Sequence, residues 1–241
     1  MPIVFASIED PVATVTHPTT NATVTCRIPS EAALSGGTDK NLAVIQPDGR
    51  TIFEFYAMTQ VDSTDWTSTY TVQNDLFGSG ITAGARASGT SLVMGIIRKA
   101  EIASLNIPHT LTLGLPNTVL QTGFVWPARS QDGDGATAYT GTVPMGSLFA
   151  IPPSVDLSLL TLTPEGAALA TALQDYGAHV MRRADTAALY AEVASDDAAT
   201  LRMRSDWQAT LFPLVRAVTN NSSANVSGGG IRRRPPAAPL R

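Results

Sequence analysis

The sequence is short of the residues from which most catalytic and redox chemistry is built. It holds 1 cysteine, Cys26, so no disulfide can close within the chain and no thiolate cluster can hold a metal. A buried, apolar role is expected for that thiol. There are 3 histidines, His17, His109 and His179; His109 has no second histidine or carboxylate at ligand spacing, and neither a metal nor another cofactor is expected. Charged residues make up only 15% of the chain, and of 16 basic residues just two, Lys40 and Lys99, are lysines. Nothing approaches 18 consecutive apolar residues, which excludes an ordinary membrane-spanning helix. The opening MPIVFASIEDP has no basic stretch, no long apolar core and no A-x-A site, so no secretory signal is expected. No G-x-S-x-G elbow occurs.

The charge of −4 is unevenly spread. Arg232, Arg233, Arg234 and Arg241 lie beyond the last acidic residue, Asp206, and removing their four charges leaves a body of about −8. An acidic body with scattered arginines offers no basic face for nucleic acid. Against these shortages stand 44% hydrophobic residues in 241, enough to build a substantial core.

Most of that apolar material is arranged as short strands. Residues 2–28 hold Ile3, Phe5, Val12, Thr14, Thr16 and Thr23–Thr25, broken by Pro11 and Pro18. NLAVIQPDGRTIFEFYAM predicts a hairpin: Leu42 to Ile45, a Pro47-Asp48-Gly49 turn, then Thr51 to Met58. A strand is expected near Thr69 to Gln73, followed by GSGITAGARASGTS, a glycine-rich loop whose backbone can approach something closely. Residues 91–105 predict a short helix or 3₁₀ turn. IPHTLTLGL, GFVWPARS and SLFAIP predict three more strands.

TPEGAALATALQDYGAHV, about residues 163–177, predicts a helix, with Thr163 as N-cap, Pro164 at N1 and Gly177 at the end. HVMRR and AALYAEV then predict a closing hairpin around Asp185-Thr186, and a last short helix is expected near Trp207 to Leu214. The whole reads as an all-β chain: a jelly-roll-like β-sandwich over residues 1–218 with one or two peripheral helices. Residues 219–241, rich in Gly, Arg and Pro, predict an extended tail.

Four segments, IPHTLTLGLP, FVWPARSQDG, AIPPSVDLSLLTLTPEGAALATALQDYGAHV and VTNNSSANVSGGGIRRRPPAAPL, resemble those of an uncharacterised family of high-GC bacteria and their phages. In that family an I-x-H-A-L strand, a WPA strand end and an ALQxYG helix recur in this order. Here Thr110 stands where the family has alanine. The resemblance implies a lectin-like or polysaccharide-lyase-like β-sandwich and, with it, carbohydrate surfaces.

His109 is the first candidate to weigh. Alternation puts Ile107, His109, Leu111, Leu113 and Leu115 on one face and Thr110, Thr112 and Gly114 on the other. The imidazole is then a hydrogen-bonded wall residue, a site residue on a concave face, or a metal ligand. A lyase needs a base and a group that neutralises the uronate, roles for which His109, Tyr70, Arg98 and Gln73 have the right chemistry. Paired-carboxylate hydrolysis could use Glu54 and Glu101 if they stood close enough. Trp66 and Trp126 have faces suited to sugar rings; Trp66, between Asp65 and Thr67, is expected to be exposed, and Trp126 suits a core anchor. SQDGDGAT resembles a calcium loop but lacks its third acid and terminal glutamate.

The leading expectation is a structural or attachment component of a phage particle, a minor tail, fibre or decoration protein present in repeated copies. It would be assembled in the host cytoplasm, bind surface carbohydrate, and dock to neighbouring virion proteins through Arg232, Arg233, Arg234 and Arg241. The alternative is a polysaccharide lyase or glycoside hydrolase.

Overall fold

A computed structural model describes residues 1–192 and 197–229; the arginines of the tail, Arg232, Arg233, Arg234 and Arg241, lie outside the described residues. The chain is β-rich, with 28% strand against 20% helix in several separate sheets. It divides into two compact units, residues 1–94 and, of the described chain, residues 95–229.

The first unit holds eight strands: β1 (Ile3–Phe5), β2 (Val12–Thr16), β3 (Thr23–Arg27), β4 (Leu42–Ile45), β5 (Thr51–Tyr56), β6 (Thr59–Gln60), β7 (Asp65–Thr67) and β8 (Tyr70–Asp75). They form two four-stranded sheets, ordered β1-β4-β5-β8 and β3-β2-β7-β6. The β4–β5 hairpin forms where the sequence predicts it. The Asp48 carboxylate accepts from the N–H groups of Arg50 (2.9 Å) and Thr51 (2.8 Å), and Gly49 takes the φ of +67° that the turn requires. Alternation then sends Leu42, Val44, Phe53 and Phe55 into one apolar core with Val15, Cys26 and Trp66 of the other sheet.

The opposite face of β4–β5–β8 is covered as well, which is why β4 is buried at every position. Val72 packs there with Ala85 and Leu92 of the glycine-rich segment. That segment is no linker. Its glycines permit close approach within the segment itself: a Cβ on Gly84 would sit 1.9 Å from the Thr90 carbonyl carbon. Glu54 on β5, fully buried, holds it down. Its carboxylate accepts from the N–H groups of Ala85 (3.0 Å) and Leu92 (2.9 Å), from Asn74 Nδ2 (3.3 Å) and from the Ser91 hydroxyl.

The second unit contains α1 (Lys99–Ser104), β9 (Leu111–Leu115), β10 (Leu120–Phe124), α2 (Gly135–Ala138), β11 (Val143–Met145), β12 (Leu148–Ala150), α3 (Pro164–Asp175), β13 (Ala178–Arg183), β14 (Ala188–Leu189), α4 (Asp197–Asp206) and β15 (Arg216–Ala217). A five-stranded sheet runs β14-β9-β13-β12-β15, and β10 pairs with β11 in a separate ribbon. Two expectations are corrected here. The segments HVMRR and AALYAEV do not form a hairpin: β13 pairs parallel to β9, and β14 pairs antiparallel to its other edge. GFVWPARS is not a strand along its length either: β10 covers Leu120–Phe124, ends before Val125, and pairs with β11 in the ribbon. Alternation specifies a strand's faces but carries no record of its neighbours.

The helix α3 follows its sequence signals. Thr163 Oγ1 accepts from Gly166 N at 3.1 Å, and Leu169, Ala170 and Leu173 are buried. A second chain segment completes the cap: Asp206, at the end of α4, accepts from Thr163 N (2.9 Å) and Oγ1 (2.5 Å). Arg202 of α4 pairs with Glu165 at 2.6 Å, so α3 and α4 are clamped at the α3 N-terminus. Beyond α4 the chain continues as a π-helical turn, Trp207–Leu211, and a 3₁₀ turn, Phe212–Leu214, in place of the single short helix expected there.

Candidate functional site

His109 sits just ahead of β9, outside the strand, so its side chain does not follow the leucine alternation. That strand is buried on both faces, Thr112 included, so it presents no open concave face. The ring turns instead to α1. Its Nε2 lies 2.9 and 3.0 Å from the two carboxylate oxygens of Glu101, and its Nδ1 lies 3.0 Å from the Thr110 carbonyl oxygen.

Both ring nitrogens therefore face oxygens that can only accept, and both contacts become hydrogen bonds only when each nitrogen carries a proton. Burial disfavours the charged ring, but the hydrogen bond and charge of Glu101, with the Thr110 carbonyl, outweigh it and raise the His109 pKa above its ordinary value. An imidazolium has no lone pair with which to take a proton. The arrangement suits a structural cation better than a lyase base.

The same loop orients Arg98. Its N–H donates to Glu101 Oε2 at 2.7 Å, while its Nε donates to Glu192 Oε2 at 3.1 Å. An isolated parallel bridge between Ile97 and Ala191 makes this pairing possible, because it sets the next residues, Arg98 and Glu192, side by side. Lys99 N adds a second contact to the Glu192 carboxylate, 3.0 Å from Oε2. His109, Glu101, Arg98 and Glu192 thus form one charged chain within the second unit. Only His109 and Arg98 of the four lyase candidates belong to it.

Tyr70 and Gln73 belong to the first unit, and their parity in β8 points them to opposite faces of the sheet. Tyr70 has a different partner. It stands directly opposite Tyr56 in the β5–β8 ladder, beyond the part of that face the glycine-rich segment covers, and the two are 51% and 40% exposed. Side chains at such opposed positions have Cβ atoms about 5 Å apart, so the two tyrosines leave the sheet side by side. Buried Ser68 fixes their backbone: its Oγ lies 2.9 Å from the carbonyl oxygens of both Tyr56 and Tyr70. Tyr56 was missed from sequence, although the alternation of TIFEFY and the hairpin's register were enough to place it at that corner.

The remaining candidates separate cleanly. Trp66, expected to be exposed, is 4% exposed in the first unit's core; its polar neighbours Asp65 and Thr67 simply occupy the other face of β7. No sugar can stack on it. Trp126 is half-buried, edge-on to buried His179 at 6.0 Å between ring centroids, and its bond to Pro127 is cis. Burial lowers the His179 pKa against the opposing effect of the Gly146 carbonyl, 2.9 Å from Nδ1.

Glu54 and Glu101 lie in different units, and Glu54 is wholly engaged in holding its own loop. In SQDGDGAT, Arg183 pairs with Asp134 at 3.0 Å and Asp132 accepts from the Tyr139 hydroxyl, so a cation and a phenol occupy the acids. Among the described residues no group of three His, Cys, Asp or Glu side chains is placed to hold a metal, and no helix is long and apolar enough to cross a membrane. Comparison with known family models, curated proteins and solved structures finds no match to the chain.

Proposed function

We propose that this chain is a binding and assembly module of a phage particle, a minor tail, fibre or decoration component that engages surface carbohydrate. The observation that carries the reading is the Tyr56–Tyr70 pair. Two exposed tyrosines opposed in the ladder, on a backbone tied by Ser68, offer aromatic surface and hydroxyls to a sugar. Aromatic faces take the apolar side of a pyranose, and tyrosines do so at low conformational cost. The assignment to a particle rests on the sequence resemblance, which also names the source of the sugar: the envelope of a high-GC bacterium.

Two sheets on one core in the first unit support a jelly-roll-like β-sandwich there, with the second unit as a mixed appendage. Repeated copies in a virion would raise a weak sugar contact by avidity. The arginine-rich tail supplies the contact to neighbouring subunits, since guanidinium groups form bidentate pairs with carboxylates. A polysaccharide lyase is the weaker reading, because both ring nitrogens of His109 are engaged by Glu101 and the Thr110 carbonyl.

The test titrates the protein with purified cell-wall polysaccharide from high-GC bacteria and follows binding by calorimetry and by the tyrosine ring signals. Binding that disappears in the Tyr56→Ala/Tyr70→Ala double variant, with the fold intact, is the expected result. Binding that survives the double variant, or the release of unsaturated sugar, would overturn it.

A further inference from the structure

The second unit also holds a cavity of about 440 Å³. That volume is within the range of small-molecule sites. Its walls come from four places in the chain: Ile97 beside the isolated bridge, Leu169 of α3, Leu189 of β14, and Met203 with Trp207 at the end of α4. Trp207 reaches it from a π-helical turn, a form that is rare and recurs at functional sites. The Trp207 indole N–H donates to the Ala187 carbonyl at 3.0 Å, so what it offers the cavity is carbon surface.

Glu192 is the acid in this lining, and its carboxylate is oriented before any ligand arrives. Arg98 Nε and Lys99 N both donate to Oε2, and Oε1 has no hydrogen bond among the described residues. The Glu192 side chain is 12% exposed, so Oε1 is partly shielded from solvent. An acceptor held in an apolar cavity calls for a donor. Arg204 also lines the cavity, but it is exposed and screened by solvent.

We propose that this cavity binds a small amphipathic amine, an apolar body of about ten non-hydrogen atoms with an ammonium head on Glu192 Oε1. A sugar is a poor occupant, since the walls would strand most of its hydroxyls. A carboxylate is a poorer one, because at Oε1 it brings acceptor to acceptor. The Trp207 ring adds an attraction for the cation. This site is independent of the tyrosine pair and of the proposal built on it.

Phenethylamine is a suitable probe, with 3-phenylpropionate and 2-phenylethanol as acidic and neutral counterparts of similar shape. Titrations of the whole chain are followed by the indole N–H signal of Trp207 in heteronuclear NMR spectra. The expected result is a saturable shift with phenethylamine at sub-millimolar affinity, which is in reach of a ligand of this size. Binding of 3-phenylpropionate should be at least tenfold weaker, and Glu192→Gln should weaken phenethylamine about tenfold while leaving 2-phenylethanol unchanged. Absence of a saturable shift, equal affinity for acid and amine, or indifference of the amine to Glu192→Gln would each overturn the proposal. The comparison of amine with acid uses the native chain alone, so the test stands even if the variant fails to fold.

Discussion

Removing the Glu54 carboxylate should release the glycine-rich segment from the first unit. Four donors converge on that fully buried side chain, two of them backbone N–H groups, from Ala85 and Leu92. In Glu54→Ala the two N–H groups and the Ser91 hydroxyl lose their acceptor together. Each buried polar group left unsatisfied costs about 1–3 kcal/mol, and partial entry of water lowers the sum, so a loss of about 3–5 kcal/mol is expected. Glu54→Gln keeps the shape and one carbonyl oxygen. That oxygen can serve the two N–H groups while the amide turns to Ser91, and a loss of roughly 1–2 kcal/mol is expected.

The loss should be local before it is global. Opening of residues 78–94 uncovers Val72, Ala85 and Leu92 but leaves the core between the two sheets closed. Native-state hydrogen exchange reads this directly: the Ala85 and Leu92 amides should exchange about a hundredfold faster in Glu54→Ala, while the Val44 amide changes less. A urea titration gives the total. Equal losses for alanine and glutamine, or unchanged exchange at Ala85 and Leu92, would show that packing and not the carboxylate holds the segment.

Three further outcomes follow from the same kind of geometry. The His109 pKa is raised in the folded protein, so its contribution to stability is complete below its unfolded value, near 6.5, and fades as the pH rises through the folded one; denaturation at pH 5.5 and 8.5 should show His109→Asn losing about 1–2 kcal/mol at the lower pH and less at the higher. Gly84→Ala drives a Cβ into backbone 1.9 Å away and should cost more than about 3 kcal/mol, whereas Gly133→Ala meets nothing within 4 Å and should stay within about 0.5 kcal/mol, as thermal melts of the pair would show. Burial pushes the Cys26 thiol up to about 12, so a disulfide reagent at pH 8 should leave the native protein unmodified and react fully once it is unfolded.

Much of the secondary structure is legible in the chain because its determinants are local. The Pro47-Asp48-Gly49 turn, the Thr163-Pro164 start of α3 and its close at Gly177 each depend on residues within a few positions of one another. The candidate site is less legible. Trp66 looks exposed beside an aspartate and a threonine, yet a strand alternates and buries it regardless of its neighbours' polarity. His109 looks like a continuation of the LTLGL alternation, yet the strand begins two residues later and the ring belongs to Glu101. The glycine-rich stretch 78–91 reads as a loose loop until Glu54, far away in sequence, is seen to bind it.

The amino-acid sequence by itself determined that this is a β-rich, acidic-bodied chain with a capped helix near 163–177 and a thiol fit only for the interior. Those properties are sums over composition or products of short-range sterics and capping. The tertiary structure alone decided the pairing of β9 with β13 and β14, the division into two units, the setting of Tyr70 opposite Tyr56, and the meeting of Arg98 with Glu192 across an isolated bridge. The residue pairs among these stand 14 to 94 positions apart. Which distant strands or charges meet depends on how the entire chain best buries its apolar faces while satisfying its polar groups, and no local stretch of sequence carries that information.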